Sequence, residues 1–230
     1  NWAASESSIR VLVLSGNGKH FTAGIDFSLV QSLFLDVAKE PEGRKQEALF
    51  ERIVALQRAF TAFEKCSKPV IAAIHGYCIG GGIDLITACD LRYAAAGSTF
   101  CVKEIDLGIV ADIGTLQRLP PIIGEGRARE LSFTARMFHA EEAHQIGLLN
   151  GIYDNYEAMM AGVQSVAETL AAKSPLTMRG LKRICNYSRE HSTQDSLHYV
   201  ATWNAAMLLS KDTQEAFQAI LQKRDPQFDD

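Results

Sequence analysis

The sequence predicts an α/β chain, strand-rich first and helix-rich last, and three observations carry that prediction. Val70-Ile71-Ala72-Ala73-Ile74 is continuously apolar, as a strand covered on both faces must be. It is followed by Gly80-Gly81-Gly82 and the run Ile83 to Ala88, a turn opening into a helix. From Tyr156 onward only helical spacings recur, broken by short polar links.

Taken in order, Ile9 to Ser15 reads as an apolar strand ended by Gly16 and Gly18. A loop of small residues, His20 to Phe27, leads into a helical run from Leu29 to Val37. Pro41 and Gly43 mark a polar loop, after which Leu49, Ile53, Leu56, Phe60 and Phe63 recur at helical spacing along Arg44 to Lys65. That apolar stripe is expected to cover the core, and Ser67-Lys68-Pro69 ends the helix. Leu91 to Ala95 and Thr99 to Val102 read as further strands, and Ile113 to Leu119 as a helix. Helices Gly126 to Phe133 and Ala140 to Ile146, a strand Leu149 to Tyr153, and helices Tyr156 to Lys173, Pro175 to Tyr187, Thr193 to Leu209 and Asp212 to Leu221 complete the pattern. This organisation divides into a core over 1–173 and a helical region over 174–230.

With 230 residues, 47% of them apolar, the chain can bury a sizeable core as one domain with an appendage. A net charge of -4 with dispersed basic residues points away from nucleic acid and membrane surfaces. The five cysteines are odd in number and form no C-x-x-C, which suggests a reducing compartment and no metal site. No apolar run approaches the ~20 residues of a membrane span, and no basic-then-apolar leader opens the chain. The ending Gln-Phe-Asp-Asp is not of the peroxisomal Ser-Lys-Leu type, which tilts the expected location towards mitochondrion or bacterial-type cytoplasm, with peroxisome still open. The six histidines are scattered and form no H-E-x-x-H, and a G-x-S-x-G nucleophile elbow is absent.

Chemistry is concentrated between Gly80 and Asp112. The first N-H groups of a helix have no intrahelical partner, and glycine lets a ligand oxygen approach them closely, so Gly81 is a candidate oxyanion donor. The triplet lacks the G-x-G-x-x-G spacing of a dinucleotide turn and the Gly-Lys-Ser/Thr of a phosphate loop; tight packing of helix on strand is its plainer role. Gly24 permits an unusual backbone angle that can turn the Ile25 N-H outward as a second donor, or the loop is an ordinary connection with Asp26 or Ser28 as N-cap. Three acids follow. Asp84 lies within its helix, where it can simply stabilise the dipole, and Glu104 ends a strand, where pairing with Lys103 is the plain alternative. Asp112 is set among Ile109, Val110 and Ile113, whose desolvation is expected to raise its pKa; its plain role is N-cap of the next helix.

Val11 to Ser15, Phe21-Thr-Ala-Gly-Ile-Asp26, Lys68 through Asp84 and Cys89-Asp-Leu-Arg92 together resemble the enoyl-CoA hydratase/isomerase (crotonase) superfamily over essentially the whole chain. Lys103-Glu-Ile-Asp106 with Ala111-Asp-Ile-Gly-Thr-Leu-Gln-Arg-Leu-Pro120 resembles the branch that isomerises 3,5-dienoyl-CoA to 2,4-dienoyl-CoA, Asp112 being the acid that marks it. The family normally carries about two further strands before Ile9, so the start looks truncated. The resemblance implies a crotonase-like ββα spiral core with a C-terminal helical oligomerisation region and an activity in unsaturated fatty acid β-oxidation. It also implies an oxyanion hole at Ile25 and Gly81, and a coenzyme A path along Ala23, Gly24, Ile25, Asp26 and Phe27. Glu104 and Asp112 are then the proton-transferring pair, Glu104 at C2 and Asp112 at C6, with Asp84 in support. No metal or redox cofactor is implied, coenzyme A being part of the substrate. A homotrimer or homohexamer is implied, with Leu181, Ile184, Trp203, Met207 and Leu208 facing a neighbour or packing on their own subunit. Two alternatives stay open: a 2-enoyl-CoA hydratase using Asp84 and Glu104 on water, and a catalytically silent coenzyme A-binding subunit.

Overall fold

The computed structural model describes residues 2–229, except the side chains of Phe27, Leu29, Val30, Leu33 and Phe34; Asn1 and Asp230, the outer ends of the two expected regions, lie outside the described residues. The elements run α1 (Trp2–Ser5), β1 (Leu12–Ser15), α2 (Phe27–Ala38), α3 (Lys45–Lys65), β2 (Val70–Ile74), β3 (Tyr77–Ile79), α4 (Gly81–Thr87), β4 (Leu91–Ala95) and β5 (Thr99–Cys101). They continue with α5 (Thr115–Ile123), α6 (Glu125–Thr134), β6 (Phe138–His139), α7 (Ala140–Gln145), β7 (Gly151–Tyr153), α8 (Tyr156–Ala171), α9 (Pro175–Ser188), α10 (Thr193–Met207) and α11 (Lys211–Gln222). Short 3-10 turns cover Glu42–Arg44 and Glu104–Leu107.

By packing, the chain forms two compact units, one of residues 13–65 and 71–163, the other of residues 1–12, 66–70 and 164–230. This division follows contacts rather than chain order, so it falls within α8 instead of at 174.

In the larger unit a four-stranded sheet has the order β1-β2-β4-β7, and a three-stranded sheet the order β3-β5-β6. β2 pairs parallel with β4, Ile71 opposite Leu91, and β4 parallel with β7. β3 runs parallel to β5, while β6 is antiparallel to it. All five residues of β2 are buried, as its unbroken apolar run requires. Ile83, Ile86, Leu119 and Leu131 are also buried, as are Phe100 and Phe138, whose rings stack 5.5 Å apart. Cys78 and Cys101 are buried core residues with free thiols, and burial pushes both thiols up.

Several expectations change. β1 is shorter than Ile9 to Ser15, and residues 9–11 lead into it outside any strand. β3 was not foreseen: three residues with Tyr77 exposed give no readable alternation. α3 does not bury its apolar stripe: none of its residues is fully buried, Leu56 is 41% exposed, and neighbouring Phe50 is 63% exposed. Helix α5 begins at Thr115 with Gly114 as its cap, so Asp112 is not the N-cap.

In the smaller unit α9, α10 and α11 each start from a serine whose side chain accepts a main-chain N-H, Ser174 from Thr177, Ser192 from Asp195 and Ser210 from Thr213. Trp203 packs against its own chain, its indole filling the space a side chain at Gly180 would take. Ile184 and Met207 are half-buried, while Leu181 and Leu208 are exposed.

Candidate active site

The site is assembled around the turn from β3 into α4. Gly80 has φ 57° and ψ -120°, a conformation closed to residues with a Cβ, and donates its N-H to the Cys101 carbonyl at 2.9 Å. This bond fixes the turn against the end of β5, and the chain enters α4 at Gly81. As the first helical residue, Gly81 has an N-H with no acceptor among the described residues. A Cβ placed on Gly81 would meet nothing within 4 Å, so the space before it is open.

The second loop is brought alongside by backbone pairing. Thr22 forms a parallel bridge with Cys78, donating to the Tyr77 carbonyl at 2.9 Å and accepting from the Ile79 N-H at 3.2 Å. Gly24 then takes φ 107°, with Ile79 O close to where its Cβ would lie, and the following Ile25 N-H has no acceptor among the described residues. Ala23 and Ile25 are exposed. Asp26 caps α2, accepting from the Ser28 N-H at 2.8 Å and the Ser28 hydroxyl at 2.6 Å. Asp26 therefore takes the plain N-cap role, while the Ile25 N-H keeps no described acceptor. Phe27 starts α2, and its side chain lies outside the described residues.

The three acids influence one another electrostatically. Asp84 is 1% exposed and receives the Thr115 N-H at 2.6 Å, so it caps α5 from a distance. Burial raises its pKa, the contact with Thr115 opposes the rise, and the charges of Asp112 and Arg118 push up and down respectively. Glu104 is half-buried beside the glycine turn, its Oε1 3.4 Å from the position of a Cβ on Gly80. Its Oε2 is buried without a hydrogen-bond partner. Burial raises the Glu104 pKa, with the charges of Asp84 and Asp112 adding to the rise. Main-chain hydrogen bonds from residues 103 and 104 oppose that rise, and the oxygen left without a partner, Oε2, is equipped to take a proton.

Asp112 departs from expectation in its surroundings. It is exposed, and Ile109 and Val110, expected to desolvate it, are themselves 52% and 71% exposed. An apolar sequence around an acid does not say which way its side chains turn. The main chain at Asp112 is tied instead: Gln57 Nε2 donates to the Asp112 carbonyl at 2.6 Å, and Arg118 Nη1 to the Ile113 carbonyl at 3.2 Å. The site thus includes Gln57, Thr115 and Arg118, which sequence reasoning missed. A polar stripe at Gln57, Thr61 and Glu64, one helical turn apart along α3, was the available signal. His20 and His75 stay outside the chemistry, His20 stacked on Tyr77 and His75 bonded to the Gly18 carbonyl. Among the described residues no group of three or more His, Cys, Asp or Glu is arranged to hold a metal, and no helix is long and apolar enough to cross a membrane.

Main-chain N-H groups without described acceptors and mutually interacting carboxylates are the parts an enzyme needs to move protons next to a carbonyl; the chain belongs to the enoyl-CoA hydratase/isomerase family, which matches residues 2–230. It has a crotonase fold: the crystal structure of enoyl-CoA hydratase from Bacillus anthracis superposes with a TM-score of 0.87 at 30% identity, covering 99% of this chain and 84% of that one. More specifically, the chain is 49% identical over 221 residues to the peroxisomal Delta(3,5)-Delta(2,4)-dienoyl-CoA isomerase of Arabidopsis thaliana, covering 96% of this chain and 80% of that protein. It is 44% identical to the mitochondrial Delta(3,5)-Delta(2,4)-dienoyl-CoA isomerase of Mus musculus, covering 96% and 68% respectively.

Proposed function

We propose that this protein is a Delta(3,5)-Delta(2,4)-dienoyl-CoA isomerase acting in the oxidation of unsaturated acyl chains. The single observation that carries the reading is the pairing of Glu104, whose Oε2 is buried without a hydrogen-bond partner beside the glycine turn, with Asp112 on a separate loop within its electrostatic reach. Sequence identity to isomerases of that name supports it independently.

The thioester oxygen is received by the N-H groups of Ile25 and Gly81, and the coenzyme A portion follows Ala23 to Phe27. Donors aimed at an oxygen that gains charge lower the barrier to removing the neighbouring proton, each being worth about 3 kcal/mol. Glu104, next to Gly80, takes a proton from C2. The C2-H electron pair becomes a C1=C2 bond as the thioester oxygen takes up the charge; when that charge returns, C1=O re-forms, C2=C3 and C4=C5 appear, and the former C5=C6 pair takes a proton at C6 from Asp112. One proton leaves at C2 and one enters at C6, so atoms and electrons balance without a redox partner. A raised pKa makes Glu104 a stronger base for this step. Asp112 hands its proton to C6, and an acyl chain lying over its exposed carboxyl shields that transfer from water. Asp84 holds the start of α5 and takes no proton from substrate.

Exposed Leu181, Leu197, Leu208, Phe217 and Ile220 on α9 to α11 support self-association, which we assign to a trimer or a pair of trimers. Relatives carry both peroxisomal and mitochondrial names, and both compartments suit this chain.

The test is an ultraviolet assay with synthetic 3,5-octadienoyl-CoA. Isomerisation brings both double bonds into conjugation with the thioester and yields a new absorption band at longer wavelength. Absence of that band, with rapid hydration of crotonyl-CoA, rejects the isomerase in favour of a hydratase.

A further inference from the structure

We propose that a polar face of α3, formed by Gln57, Thr61 and Glu64 and acting through Arg118, is a positioning clamp that sets Asp112 for its proton transfer. The proposal rests on Asp112 being one of the two proton-carrying acids.

Asp112 has little else to hold it. Its carboxyl is exposed, neighbouring Ile109 and Val110 face solvent, and no helix cap engages it. What fixes its place is the backbone on its C-terminal side. Two consecutive carbonyls, those of Asp112 and Ile113, receive side-chain donors, Gln57 Nε2 at 2.6 Å and Arg118 Nη1 at 3.2 Å. Arg118 is itself immobilised: Nε meets Glu64 Oε2 at 2.9 Å and Nη2 meets Thr61 Oγ1 at 2.9 Å. The Arg118 and Glu64 side chains are only 12% and 22% exposed, so water screens this ion pair less than one on the open surface. Gly114, at φ 137°, leaves free the space that the Arg118 guanidinium occupies. On the far side the loop is closed by Asp84 receiving the Thr115 N-H.

The choice of residues points to positioning. Gln57, Thr61 and Glu64 recur at the spacing that places them on one side of a helix, and α3 fully buries none of its apolar residues. Its well-directed bonds run instead to the segment that carries Asp112. A planar guanidinium with two of its nitrogens fixed on α3 presents its third, Nη1, to the Ile113 carbonyl with little freedom left. Proton transfer to carbon requires hydrogen-bond reach, and a misplacement of about 1 Å costs about a hundredfold in rate.

Gln57→Met, which keeps the bulk and removes the donor, and Arg118→Lys, which keeps the charge and removes the fork, test the clamp. Each is compared with wild type and with Asp112→Asn in deuterium oxide, following deuterium entry at C2 of 3,5-octadienoyl-CoA and at C6 of 2,4-octadienoyl-CoA. Both clamp variants are expected to lower kcat by about ten- to a hundredfold with KM within threefold. They should also slow exchange only at the carbon that Asp112→Asn silences, leaving the other carbon at the wild-type rate. Equal slowing at both carbons, or no slowing while Asp112→Asn remains selective, overturns the clamp alone. If Asp112→Asn slows neither carbon, the assignment of Asp112 falls and the clamp falls with it. Should Arg118→Lys fail to fold, Gln57→Met, at a half-buried position, decides by itself.

Discussion

Replacing Gly80 by alanine tests how the turn serves the chemistry. The residue holds φ 57° and ψ -120°, and forcing a Cβ into such a region costs about 1–3 kcal/mol. For a chain of this size that corresponds to a fall in Tm of about 2–12 °C, since each kcal/mol is worth about 2–4 °C. Relaxation of the strain would turn the next peptide and so move the Gly81 N-H away from the substrate oxygen. Loss of one such donor is worth about 3 kcal/mol, or about a hundred- to a thousandfold in kcat. The new methyl also comes within 3.4 Å of Glu104 Oε1, so the base is pressed from the same side. Thermal unfolding followed by circular dichroism and the ultraviolet isomerase assay measure the two effects on the same sample. Gly43→Ala is the control, because a Cβ there meets nothing within 4 Å. A Gly80→Ala variant with wild-type Tm and kcat within threefold refutes both the strain and the placement of the oxygen site.

Gly81→Ala should behave differently: its Cβ points into open space, so Tm should stay within about 1–2 °C of wild type while kcat/KM for the dienoyl thioester falls at least tenfold. Asp84→Ala removes the acceptor of the Thr115 N-H at the start of α5 and should destabilise the protein by about 0.5–2 kcal/mol in urea unfolding, with Asp84→Asn retaining most of the stability. For Glu104, burial raises the folded pKa above that of the unfolded chain, so the native state holds its proton more tightly and stability falls as pH rises through the folded value. Glu104→Gln should therefore melt above wild type at pH 7, the gap closing as pH drops below the unfolded glutamate value of about 4.3, while isomerisation is lost. A gap that instead widens on acidification contradicts the sign.

The parts of the fold that were legible are those in which one local signal allows one structure. β2 is such a case, since five apolar residues bounded by proline and glycine have no other use than a strand buried on both faces. The glycine triplet announced a turn into a helix, and α4 begins at its second residue. Asp112 was legible as a site candidate through resemblance, yet its surroundings were not. Ile109 and Val110 are apolar in sequence and exposed in space, because the direction of a loop side chain depends on packing that no short window contains. In α3 two stripes share one helix, Leu49-Ile53-Leu56-Phe60-Phe63 and Gln57-Thr61-Glu64, and periodicity favours the apolar one. The bonds that tie Gln57 to residue 112 and Glu64 to residue 118 cross more than fifty positions, beyond what helical spacing can reveal.

If two acids each handle one end of the diene, paired variants in deuterium oxide separate their roles. Incubated with 3,5-octadienoyl-CoA, Asp112→Asn should wash deuterium into C2 at near the wild-type rate yet form no 2,4-dienoyl product, whereas Glu104→Gln should do neither. Isomerisation at the wild-type rate by either variant, or loss of C2 exchange in both alike, contradicts this division between Glu104 and Asp112.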